Sequence, residues 1–172
     1  EDMVVAACEG GATAAFPALN YRSLDDLRNV IRRIKSRTEK PFGINLIMNK
    51  SNVKFKGQLE VILEEKVAFI ITSLGNPKET IDACKPLGIK VFCDVIDANY
   101  AKKVEAMGAD AVIAVNNQAG GHCGNLSEKT LIENIQAVCK VPIISAGGIG
   151  TKAQIEEVMK HGAIGVSVGT IF

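Results

Sequence analysis

An α/β fold built from parallel strands is what this sequence predicts, on three observations. Short β-branched runs alternate with stretches of helical period along the whole chain. Most of the strand runs are apolar without polar alternation, as strands covered on both faces must be. A phrase of helix, glycine and apolar strand recurs as Leu87-Gly88-Ile89, Met107-Gly108-Ala109-Asp110 and His161-Gly162-Ala163-Ile164. The 172 residues suit one domain, and no Pro/Ser-rich linker divides them.

Taken in order, the chain opens in a helix, Asp2 to Glu9, followed by a strand at Thr13–Phe16. Ser23 then caps a helix whose Leu24, Leu27, Ile31 and Ile34 share one face, with Asp25 and Asp26 at its positive end. Further strands are expected at Phe42–Ile47, Ala68–Thr72 and Lys90–Val95. Asp97 caps a helix running through Ala101 to Met107, which leads to a strand at Ala111–Val115. Leu131, Ile135 and Val138 mark the next helical face, before a strand at Pro142–Ser145. Thr151 and Gln154 form a capping box for a helix carrying Ile155, Val158 and Met159, and Gly165–Val168 is the last strand. Gly88, Gly108 and Gly162 stand where a left-handed residue ends each helix.

Seven strands with intervening helices fit either an open doubly wound sheet or a closed eight-stranded barrel. The barrel usually takes roughly 250 residues. This chain begins inside a helix and stops at a strand end, Phe172. If it is a barrel, its first strand and last helix are expected to lie outside the sequence.

Composition excludes several functions. Twenty basic residues oppose nineteen acidic ones, which argues against a nucleic acid or an anionic membrane as partner. Apolar runs such as Val67 to Ile71 are far too short to cross a bilayer, and no basic-then-apolar leader opens the chain. Cys8, Cys84, Cys93, Cys123 and Cys139 show neither regular pairing nor a C-x-x-C spacing. They read as reduced thiols of a cytoplasmic protein with no metal site. Cys123 lies beside a histidine, but a small residue filling a glycine turn is the better reading than a nucleophile.

Three segments at predicted strand C-termini carry possible chemistry. Ala119-Gly120-Gly121-His122-Cys123-Gly124 follows the Ala111–Val115 strand. Its glycines permit close approach of a ligand, and an imidazole on such a turn suits proton removal near neutral pH. A surface-loop histidine is the other reading the spacing allows. Ile144 to Thr151, containing Gly147 and Gly148, runs from a strand into a capped helix, and Val166-Ser167-Val168-Gly169-Thr170 ends the last strand. Backbone amides in two such turns bind phosphate, and barrels place their phosphate site after the last two strands. His161, near a helix C-terminus, reads as structural. Asn45 is the one polar side chain of its strand, and either a ligand edge or a neighbouring strand must satisfy its amide.

Phe42-Gly43-Ile44-Asn45-Leu46, Ala119-Gly120-Gly121-His122, Ala146-Gly147-Gly148-Ile149 and Val168-Gly169-Thr170 occur in an order that resembles the nitronate monooxygenase (2-nitropropane dioxygenase) family. That family is related to the FMN-dependent enoyl-acyl-carrier-protein reductases. The stretch Phe16-Pro17-Ala18-Leu19-Asn20 is similar to the monooxygenase branch.

The resemblance implies an FMN-binding (β/α)₈ barrel over residues 1–172, in which His122 is the catalytic histidine. Asn45, Gly120 and Gly121 would meet the flavin. Gly147 and Gly148 would form the first phosphate turn, with Ser167, Val168, Gly169 and Thr170 as the second. It also implies oxidation of an alkyl nitronate or nitroalkane by dioxygen, with a homodimer left open. One departure is Val115, where many relatives carry a flavin-contacting glutamine; Asn116 or Gln118 is the substitute. An NAD(P)H-dependent reductase of enoyl thioesters or quinones, and a non-catalytic barrel, are the competing expectations.

Overall fold

The computed structural model describes residues 1–169, so Thr170 lies outside the described residues. The chain falls into two compact units, residues 1–91 and 92–172.

The first unit contains α1 (Asp2–Glu9), β1 (Ala15–Pro17), α2 (Leu24–Lys35), β2 (Gly43–Ile47), α3 (Phe55–Glu64), β3 (Phe69–Ser73) and α4 (Lys78–Cys84). Strands β1 and β2 pair in parallel with Ala15 opposite Gly43, and β2 and β3 with Gly43 opposite Phe69. Gly43 has no alternative here: a Cβ would lie 2.2 Å from the Phe69 ring. Each strand returns through a helix, as parallel pairing requires.

Helix α2 shows how sequence becomes packing. The Ser23 Oγ accepts from the Asp26 amide at 3.0 Å while the Asp26 carboxylate accepts from the Ser23 amide at 3.2 Å, closing the capping box. Leu27, Val30, Ile31 and Ile34 are then fully buried on one face. Leu24, on the same face but in the first turn, is exposed at the edge of this packing, beside Gly57 of α3.

Beside that face, Arg28 and Arg32 reach Glu65, just beyond α3, at 3.3 and 2.8 Å. Lys35 donates to the Glu65 carbonyl. Burial pushes the Glu65 carboxyl up, but the hydrogen bonds and charges of Arg32 and Arg28, with Lys35, outweigh it and hold it below the ordinary value.

The second unit takes up β4 (Lys90–Val95) from Phe92 onward and continues with α5 (Ala98–Met107), β5 (Ala111–Val115), α6 (Glu128–Gln136), β6 (Ile143–Ala146), α7 (Lys152–Lys160) and β7 (Gly165–Ser167). Its strands pair in parallel and in chain order, with Cys93 opposite Val112, Val115 opposite Ala146, and Ala146 opposite Ser167. Their C-terminal ends therefore face one side. Asp97 caps α5 through the Tyr100 amide at 2.8 Å, and Gly108 ends it with φ +101°. Glu105 of that helix accepts from the amides of Lys140 and Val141 at 2.6 and 3.0 Å, fixing the chain as it enters β6.

All seven strands and the capped helices fall where the sequence places them, within two residues. Besides Leu24, three apolar positions depart. Val138 lies beyond the end of α6 and is exposed, and Ile155 and Met159 of α7 are partly exposed, with Val158 the buried residue of that helix. The apolar stripe of α7 is wider than the strip it buries. None of the described helices is long and apolar enough to cross a membrane.

The Glu65 cluster has a testable sign. A carboxyl held low in the folded state stabilises it above the unfolded pKa, and that stabilisation is lost as pH falls through the folded value. Glu65→Gln should lower the melting temperature at neutral pH, and the gap from the parent should close below about pH 3. A gap that stays constant across a thermal-denaturation pH series would dissociate the effect from the carboxylate.

Candidate functional site

Loops at the C-terminal ends of β5, β6 and β7 form the candidate site, and all belong to the second unit. The loop after β5 begins with Asn116, whose amide continues the ladder by donating to the Ala146 carbonyl at 3.0 Å. Its side chain is 0% exposed. Nδ2 donates to the Gly147 carbonyl at 3.0 Å, and Oδ1 accepts from the Gln118 amide at 2.7 Å. Both ends of that amide are spent within the protein. The Asn116 amide thus has a partner at each end within the protein and is fully buried, whereas Gln118, the other residue expected to stand in for the missing glutamine, is exposed. Gln118 is exposed and lies against Gly148, with Oε1 2.1 Å from where a Gly148 Cβ would stand.

The turn after β6 is the most constrained piece of the site. Gly147 has φ +116° and Gly148 φ +73°, both in the region that side-chain-bearing residues avoid. A Cβ on Gly147 would lie 2.3 Å from Asn116 Oδ1 and 2.8 Å from the Ala119 amide nitrogen. The turn feeds α7 through a second capping box. Gln154 Oε1 accepts from the amides of Gly150 and Thr151 at 2.9 and 3.0 Å, and Thr151 Oγ1 accepts from the Gln154 amide. The other end of the Gln154 side chain, Nε2, donates to the Gly148 carbonyl at 3.0 Å.

Two carbonyls of the turn are thus held by side chains, while the amides of Gly148 and Ile149 donate to no acceptor among the described residues. Free amides at the start of a helix, whose dipole is positive there, form an anion site. A phosphate monoester fits the two amides as a small anion, while the positions a Cβ would take at Gly147 and Gly148 are already filled by Asn116, Ala119 and Gln118. Gly148 and Ile149 are the residues that would hold it.

The remaining predicted residues are placed as follows. His122 is exposed, with Gly120, Gly121 and Cys123 around it, on the loop whose far end is Gly124. Gly121 has φ +93° with open space about it, so conformation accounts for that glycine. Gly124 is buried, and a Cβ there would crowd the Val115 carbonyl at 3.0 Å and Ile96 at 3.1 Å. Ser167 ends β7, Val168 is half-buried and Gly169 is exposed with nothing near its Cβ position. Asn45, in the first unit, is half-buried on β2 and donates from Nδ2 to Ser73 Oγ at 2.9 Å, so a neighbouring strand satisfies part of its amide.

His161 stands at the C-terminal end of α7, with Nδ1 3.0 Å from the Glu128 carboxylate. That pair, with Gln118, Gly147, Gly148 and Gln154, walls a cavity of about 440 Å³ beside the turn. The sequence reading missed the role of Asn116; an asparagine just past an apolar strand, four residues before the Gly120-Gly121 pair, was the available signal.

With the geometry in place, comparison with known proteins gives a lineage. The family described as nitronate monooxygenase matches residues 47–172, more than half of the chain. The chain belongs to the nitronate monooxygenase family. One curated relative, a (3aS,4S,5R,7aS)-5-hydroxy-7a-methyl-1-oxo-octahydro-1H-indene-4-carboxyl-CoA dehydrogenase of Rhodococcus jostii, is 31% identical over 86% of this chain and 41% of its own length. A nitronate monooxygenase of Paraburkholderia phytofirmans is 26% identical over 99% of this chain and 59% of its own. Among solved structures, FabK from Thermotoga maritima in its M276A form superposes with a TM-score of 0.88 at 32% identity, covering 97% of this chain and 56% of that one. The chain thus spans about half the length of the relatives it matches. The fold class is the (β/α)₈ barrel of FabK, of which the described residues hold seven strands.

The crowding of Gly147 gives a direct check. Gly147→Ala combines a disfavoured φ with a clash against Asn116, and should lower unfolding free energy by about 2–4 kcal/mol. Gly165→Ala, with open space at its Cβ position, should change it by less than about 0.5 kcal/mol. Denaturant titration of both variants tests this, and equal effects would refute the steric reading.

Proposed function

We propose that this family member is a flavin-dependent oxidoreductase, its residues 1–172 forming one barrel domain that holds FMN. We propose further that it oxidises alkyl nitronates or nitroalkanes with dioxygen to carbonyl compounds and nitrite. The observation that carries the reading is the Gly147–Gly148 turn, whose Gly148 and Ile149 amides meet no acceptor among the described residues, leading into a capped helix from the strand next to β5, whose loop bears His122. Family membership and the order of the glycine motifs support it.

FMN, when bound, supplies the redox chemistry by accepting electrons from the substrate and returning them to dioxygen. The chain supplies the rest. Gly147 and Gly148 hold the phosphate turn, Gly120 and Gly121 let backbone approach the ring system, and Ser167, Val168, Gly169 and Thr170 form the second phosphate segment. Asn45 keeps one amide oxygen for a flavin edge while Ser73 fixes its orientation. His122 takes the proton from the carbon bearing the nitro group, and its charged form then steadies the resulting anion.

A second reading, an NAD(P)H-dependent reductase of enoyl thioesters or quinones, is favoured by one observation. Identity to FabK and to the CoA dehydrogenase exceeds identity to the Paraburkholderia nitronate monooxygenase. The two readings share the phosphate turn and the histidine and differ in the electron donor.

Anaerobic bleaching of the flavin in the full-length protein separates them. Rapid bleaching by ethyl nitronate with NADH inert supports the monooxygenase, and the reverse supports the reductase. His122→Asn should reduce turnover of neutral nitroethane by about 10²–10⁴-fold with flavin content retained. Undiminished turnover would remove the histidine from the reaction.

A further inference from the structure

We propose that Asn116 and Gln154 are positioning residues that set the polarity of the phosphate turn, making the Gly147–Gly148–Ile149 backbone an anion site rather than an ordinary helix entry. This rests on the phosphate reading of the turn and assigns to two side chains the work of orienting it.

In a trans peptide the carbonyl of one residue and the amide of the next point in opposite directions, and the described chain contains no cis bond. Asn116 Nδ2 holds the Gly147 carbonyl at 3.0 Å, so the Gly148 amide must point away from Asn116. Gln154 Nε2 holds the Gly148 carbonyl at 3.0 Å, which turns the Ile149 amide away from Gln154 in the same manner. Successive peptides are thereby locked by two donors on two different elements, the loop after β5 and the helix α7.

A glycine pair would otherwise rotate easily, since glycine samples both signs of φ at little cost. Rotation of either peptide would replace a donor with a carbonyl oxygen, which repels an anion. Asn116 resists this because it is fully buried and its Oδ1 is itself held by the Gln118 amide at 2.7 Å. Gln154 resists it because its Oε1 is committed to the cap.

The two side chains are amides for a stated reason: each needs a donor and an acceptor on one planar group. Asn116→Asp keeps the acceptor for Gln118 and puts an oxygen where the Gly147 carbonyl expects a donor. Gln154→Glu keeps the helix cap and removes the donor to Gly148. Both substitutions change the turn with little change in volume, and the cap variant guards against a misfolded Asn116 variant.

The experiment has two arms on the full-length protein. In the first, the ¹⁵N–¹H resonances of Gly148 and Ile149 are followed during titration with inorganic phosphate. The wild type should shift and saturate. Asn116→Asp should weaken phosphate binding at Gly148, and Gln154→Glu at Ile149, by about 10–100-fold, with far-UV circular dichroism unchanged. Equal shifts in the wild type and both variants, or no shift in the wild type, would overturn the assignment.

In the second arm, flavin fluorescence quenching compares FMN with riboflavin, which lacks the phosphate. The variants should lose FMN affinity while keeping that for riboflavin; parallel loss of both would also overturn the positioning role. A wild type that prefers neither flavin would defeat the FMN reading alone, leaving the phosphate titration to judge the two residues.

Discussion

Parallel pairing with both sheet faces covered is the constraint from which the rest of this structure follows. A parallel ladder cannot be closed by a tight hairpin, so each strand must return through a helix, and within each unit every strand ends on the same side. Loops that are far apart in sequence, such as those beginning at Asn116 and Gly147, are then brought side by side by register alone. The alignment of Val115 with Ala146 places Asn116 one step from the glycine turn, within reach of its carbonyl. A shift of one residue in that register would send the Asn116 side chain to the other face of the sheet and leave the turn unheld.

The same constraint separates what the sequence made legible from what it did not. Strands covered on both faces must be apolar throughout, and helices entered from a strand end need a cap, so both signals are strong in one sequence. Ser23 with Asp26, Asp97 and Thr151 with Gln154 are each found performing that service. Helices α3 and α4 begin at Lys54 and Pro77 with no side-chain cap, and correspondingly little marked their starts. Periodicity overreached at Val138, Ile155 and Met159, because a helical period reports which residues share a face and not how wide a strip of that face is covered. At the site, glycines were legible as glycines, but their reasons differ: crowding at Gly147 and Gly124, backbone angle alone at Gly121, and neither at Gly169.

Asn116 illustrates a blind spot of reading by motif. As a polar residue beside a cofactor motif it invites assignment to the ligand, whereas full burial and two internal partners commit it to the protein. Burying an amide costs free energy unless each end is matched, and here one donor and one acceptor are matched across two loops. Only the fold reveals that, since Gly147 stands 31 residues further along the chain. Gln118, by contrast, is exposed and lies over Gly148.

The loop bearing His122 is constrained at its two ends and open between them. Asn116 anchors its start, and Gly124 packs its end closely against Val115 and Ile96, where a side chain would be crowded. Gly120 to Cys123 lie exposed between those anchors. Such an arrangement fixes where the imidazole originates while leaving its surroundings free to change. A family can therefore keep the glycine turn and the histidine and still vary what surrounds the imidazole, because the held elements are set by backbone geometry and the variable ones by exposed side chains. Relatives named for nitronate oxidation and for the dehydrogenation of a CoA thioester fit that division. The cradle determines what is held, and the open part of the loop determines what is presented to it.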